Sequence, residues 1–125
     1  FNNKISFDDN KIQLRKSLKK CRVFVGTYNA TTYLETFSIN MPSILFWNPY
    51  HWEINENAKN LLMKLQEEKI FHSSPKSAAK HLEFIWDDVD SWWFSSNVQN
   101  AVTEFNSVFS KENPKVLESI QRCLV

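Results

Sequence analysis

One stretch, residues 22–48 (RVFVGTYNATTYLETFSINMPSILFWN), constrains the fold more than any other. Val23-Phe24-Val25 is apolar without alternation, which fits a strand buried on both faces, as in a parallel sheet. Residues 26–29 make a joint, and residues 31–37 read as a short helix. Pro42 stops anything helical before it, and residues 43–47 are a second apolar run. Strand, helix and strand with short joints make a βαβ unit, with parallel strands and a right-handed crossover. Ligands of such sheets bind beyond the carboxyl ends of the strands. Here that edge holds residues 27–32 and 48–53, the most polar and least regular parts of the unit.

The rest of the chain extends this plan. Residues 5–7 suggest a short edge strand through Ile5 and Phe7, with Asp9 or Asn10 capping a basic helix over residues 11–21 whose apolar stripe is Leu14, Leu18 and Cys21. After a loop over residues 48–55, residues 56–69 are amphipathic, with Ala58, Leu61, Leu62 and Leu65 on one face. Ile70-Phe71 is a very short third strand. Ser74-Pro75 starts a helix, cap followed by first-turn proline, which Asp87, Asp88 and Asp90 break. Asn97 caps the next helix, and Asn113-Pro114 starts the last, whose apolar face is Val116, Leu117 and Ile120. The expectation is an α/β domain: a Rossmann-like parallel sheet with flanking helices, and residues 92–125 as a helical C-terminal tail.

At 125 residues the chain is at most one domain, taken as residues 1–125. Because it opens on Phe1, it reads as a processed or truncated piece. Ten Phe and five Trp supply a sizeable core. A single Gly, against roughly seven per cent in average proteins, argues against a Gly-rich phosphate loop. Net charge of +1 provides no strong field toward nucleic acid. Cys21 and Cys123 form no CxxC and read as free, partly buried thiols in a reducing compartment. No apolar run approaches the ~20 residues of a membrane span, and no signal peptide is seen, so the expected location is cytoplasmic.

The residues permit one kind of chemistry. Asn29 reads as an N-cap, with Thr31 and Thr32 in the first helical turn. Unpaired amides at the positive end of a helix dipole favour an anion, and threonine hydroxyls add neutral donors. Glu35, one turn on, is an acceptor suited to sugar hydroxyls. The plainer reading is a cap, ordinary first-turn threonines and a solvated glutamate. Asn48, Tyr50, His51 and Trp52, with Glu53, form a candidate pocket wall at the same edge. No carboxylate is fixed in sequence to orient His51, so a tethered loop histidine is preferred over a base. His72 and His81 fit no metal spacing, and Asp87, Asp88 and Asp90 read as a helix end rather than a cation site. Trp86, Trp92 and Trp93 read as packing rather than sugar stacking. No complete catalytic set is visible.

Three stretches, TYNATTYLE, FWNPYHWE and WDDVDSWW, together resemble the C-terminal part of a family of bacterial transferases linked to surface-polysaccharide (O-antigen) clusters, the LIC-type transferases. The resemblance covers about residues 11–109. The pattern is also similar to the C-terminal Rossmann-like domain of two-domain GT-B glycosyltransferases. That resemblance implies donor-diphosphate contacts at Thr27, Asn29, Thr31 and Thr32, and a donor hydroxyl contact at Glu35. It implies an interdomain packing role for Trp92-Trp93 and residues 98–109. It implies a nucleotide-sugar as donor substrate with no separate cofactor or metal, and an N-terminal domain of the same protein as partner. A glycosyltransferase fragment of this kind is expected to be inactive without that domain. The alternatives are a non-catalytic α/β interaction module and a polyol-phosphate transferase-like enzyme.

Overall fold

In the computed structural model, which describes residues 5–7, 9, 11–110 and 115–123, three strands form one parallel sheet. They are β1 (Phe24–Gly26), β2 (Ser43–Phe46) and β3 (Phe71–His72), in the order β1-β2-β3. The expected unit is present: α2 (Thr32–Ser38) joins β1 to β2, and Val25 stands beside Ile44. Pairing opens at Phe24, whose N–H donates to the Pro42 carbonyl at 2.8 Å.

Both faces of β2 are covered, which is why its sequence does not alternate. Leu45 (fully buried) enters the larger core with Phe37, Leu65, Trp93 and Phe105. Ile44 faces the other way, against Ala78, Ile85 and Val89. The first face is built by α2, α3 (Glu56–Glu67) and α6 (Ser96–Phe109), the second by α4 (Pro75–Ile85) and the start of α5 (Val89–Trp93). The one glycine, Gly26, is a packing requirement. A Cβ there would lie 2.8 Å from the Leu45 Cδ2 and 3.1 Å from the Phe24 Cε1.

Local chemistry sets the starts of α3, α4 and α5. The Asn55 Oδ1 accepts from the Ala58 N–H at 2.8 Å, and the Ser74 Oγ accepts from the Ser77 N–H at 3.3 Å, with Pro75 in the first turn. The aspartates after α4 break it as expected, and Asp88 then caps α5, accepting from the Ser91 N–H and Oγ. Those bonds hold the Asp88 carboxyl below its usual range. Ser95, not Asn97, stands at the N-cap of α6.

The segment from residue 92 is helical, and α6 is a layer of the core. Trp93 is fully buried, and Val98, Val102 and Phe105 pack beneath it. The Trp93 indole N–H is shared between the Asn40 carbonyl (3.1 Å) and Oδ1 (3.0 Å). Asn40 itself takes a left-handed φ of 52°, a conformation its short side chain tolerates.

The ends depart from expectation. Residues 5–7 form no strand, and Asp9 pairs with Lys11 at 2.7 Å. The expected cap Asn10 and the start signal Asn113-Pro114 lie outside the described residues. The first helix, α1 (Leu14–Leu18), is only five residues long and is anchored by Leu18 alone. Both cysteines are free and exposed rather than partly buried, since Cys21 lies past the end of α1. Val116, Leu117 and Ile120 of α7 (Val116–Cys123) are exposed. Among the described residues no helix is long and apolar enough to cross a membrane.

Candidate functional site

At the carboxyl end of β1 the chain turns through Thr27 and Tyr28 into α2. A concavity of about 200 Å³ opens there, lined by Thr27, Tyr28, Ala30, Thr32 and Tyr33 together with β1. A second, about 240 Å³, also has Tyr33 in its lining. Its polar lining is Asn29, Glu53 and Asn55, and its apolar lining includes Leu62 and Phe105. Tyr33 is thus the shared wall of both.

The start of α2 differs from the sequence reading. Thr31, not Asn29, occupies the N-cap position, in a helical conformation, and makes no side-chain capping bond. Asn29 is drawn elsewhere: its Oδ1 accepts from the Tyr33 hydroxyl, one turn on, at 3.2 Å. The amide group of Asn29 is left with its N–H donors. Burial raises the Tyr33 phenol above its ordinary pKa, so it remains a donor. The Tyr33 ring lies 5.7 Å from that of Trp47, whose buried indole N–H has no partner. One unmatched donor therefore sits directly behind the shared wall.

The structure brings only part of the expected set together. Thr27 and Thr32 line the first concavity and Asn29 the second. Thr31 and Glu35 are exposed and line neither. Asn48, Tyr50, His51 and Trp52 form an exposed turn, residues 49–51 being a single 3₁₀ turn, and also line neither. Within that turn the Asn48 Oδ1 accepts from the Tyr50 N–H at 3.0 Å, which leaves its NH₂ to donate to the His51 Nε2 at 3.3 Å. His51 is thus the tethered loop histidine that the sequence suggested. Tyr33 and Asn55 escaped the sequence reading as site residues. The Asn29–Tyr33 spacing of one helical turn was the available signal for the first. Among the described residues no group of three metal-ligating side chains comes together.

A parallel edge with two adjoining hollows, hydroxyls in one and a carboxylate in the other, can receive a ligand with an anionic part and a hydroxylated part. A family model described as LIC12162 family transferase matches residues 1–124. Neither the search of curated proteins nor that of solved structures returned a match.

Proposed function

The chain belongs to the LIC12162 family of transferases, and on that premise we propose that it is the donor-binding portion of a nucleotide-sugar-dependent glycosyltransferase acting in surface-polysaccharide synthesis in the cytoplasm. The observation that carries this reading is the pair of concavities that share Tyr33 at the carboxyl edge of β1. The diphosphate lies over the β1–α2 turn, receiving the hydroxyls of Thr27 and Thr32 and the free amides that open α2. Negative charge builds there as the nucleoside diphosphate departs, and fixed donors stabilise it without a metal. Thr31 and Glu35, exposed on the same helix, act at the rim, with Glu35 accepting from donor hydroxyls. Asn29, through its NH₂, and the loop of Asn48, Tyr50, His51 and Trp52 complete the wall once donor is bound.

The N-terminal domain of the same protein supplies the acceptor side. Burial of Trp93 inside this domain counts against a protein-interaction module, which needs the tryptophan pair exposed. The test is calorimetry on the full-length protein with a panel of nucleoside diphosphates and their sugar conjugates. Thr32→Ala weakens the preferred nucleotide about tenfold, or roughly 1.4 kcal/mol. Unchanged affinity refutes the assignment.

A further inference from the structure

A third, larger hollow of about 580 Å³ lies beside β3, between the last turn of α3, α4 and the start of α6. His72 ends β3 and is 3% exposed. Its Nε2 lies 2.9 Å from the Lys69 carbonyl oxygen and its Nδ1 lies 2.8 Å from the Ser77 Oγ. A carbonyl only accepts, so Nε2 carries the hydrogen. The buried ring is held neutral, which leaves Nδ1 bare, and the Ser77 hydroxyl donates to it. Hydroxyl, imidazole and fixed acceptor in a row is the arrangement that activates a serine: the base takes the proton and the carbonyl fixes its tautomer.

The surroundings fit a reacting group rather than a sealed core. Ser77 lies on the exposed first turn of α4 and lines the hollow. One turn on, the His81 Nε2 is buried and has no partner. The His81 ring lies 5.6 Å from that of His72 and meets Trp92 edge-on at 4.8 Å. Trp92 is pinned by its indole N–H, which donates to the Glu68 carbonyl at 3.1 Å. Phe84 and Val98 supply apolar wall.

We propose that Ser77 is a nucleophile with His72 as its base, and that this hollow takes an ester as acyl donor. The Ser77 Oγ bonds to the ester carbonyl carbon as its proton moves to the His72 Nδ1. The ester C–O bond breaks, and the leaving alcohol takes that proton from Nδ1. Water then releases the acyl group by the same proton path. This activity is independent of the nucleotide site.

The test is incubation of the chain with a fluorophosphonate, followed by peptide mapping. The Ser77 Oγ bonds to phosphorus, fluoride leaves, and one adduct is expected, on Ser77, with the exposed neighbour Ser73 unmodified. Ser77→Ala abolishes it, and His72→Gln slows it about 100-fold. The wild-type rate asks the same question should His72→Gln not fold. The charged and titratable groups that line the hollow with that ring are Lys69 before β3, Lys80 and His81 on α4, Glu67 at the end of α3 and Glu68 just beyond it. With His72 as base the rate rises through a midpoint below 6.5 and is flat across neutral pH. No adduct, adducts scattered over several serines, or a rate climbing tenfold per pH unit through neutrality each overturns the proposal.

Discussion

The carboxyl edge of β1 and the flank of β3 are both concave, yet they hold their polar groups in opposite ways. At the β1 edge, Thr27, Thr31, Glu35 and the turn at Asn48 are exposed, and the helix start has no side-chain cap. Around β3, His72 is buried with both ring nitrogens engaged, and His81 stands beside it with one nitrogen unmatched. The first region can lose side chains without losing the fold, because water already solvates them. The second region, with the core behind it, cannot. The contrast separates side chains that water already solvates from side chains held by partners within the fold.

That division can be broken by experiment. The largest effect is expected where the flank meets the core. Trp93→Ala empties a fully buried site and removes the indole donor from the Asn40 carbonyl, and urea unfolding should show a loss of about 3–5 kcal/mol. A loss below ~1 kcal/mol means that the α5–α6 junction is not part of the core.

Acid should come next. Burial, aided by His72 and Lys69, lowers the His81 pKa to about 4, and burial lowers that of His72 as well. The unfolded chain, with ordinary histidines near 6.5, binds those protons more readily. The contribution of the pair is therefore complete above pH 6.5 and is lost as pH falls from 6.5 toward 4. A shift of the size seen at His81 is worth about 3 kcal/mol if fully felt; water reaches part of the ring, so ~1–2 kcal/mol is expected. His81→Phe should flatten the pH dependence of the melting temperature over that window. An unchanged slope assigns the acid sensitivity elsewhere.

The smallest effect belongs to the open edge. Thr32→Ala should change unfolding free energy by no more than about 0.5 kcal/mol, while weakening the nucleotide as proposed. A large loss of stability there would erase the distinction between the two regions.

What could be read from the sequence follows the same line. The parallel βαβ unit announced itself because unalternating SILFW requires cover on both faces; VFV carries the same pattern, yet β1 is an edge strand and Val25 is exposed rather than buried. Ser74-Pro75 announced α4 because its cap is local chemistry. The cap of α2 was misplaced by two residues, Asn29 for Thr31, and its first residue by one. Asn29 is a good cap by type, but the Tyr33 hydroxyl one turn away competes for its oxygen. Asn97 lost the α6 cap to Ser95 for want of any side-chain bond that singles out one position. Of the edge residues, Thr27, Asn29 and Thr32 do line hollows, because a strand end and a helix start place them there. Thr31, Glu35 and the Asn48 turn do not, since spacing along the chain says little about which way an exposed loop faces. The contacts of His72 with Lys69 and Ser77 depend on a left-handed Lys69, φ 61°, which the sequence does not advertise.

The bond from Asn40 to Gln99 spans 59 positions, and that from Asn106 to the Phe37 carbonyl spans 69. As the chain emerges from a ribosome, Asn40 and Phe37 wait for partners that do not yet exist. The sheet, β3 included, is out well before Phe105, but one of its faces remains wet until α6 arrives to roof it. Until residues 96–109 are made the nascent chain is thus half covered, and α6 acts as the latch.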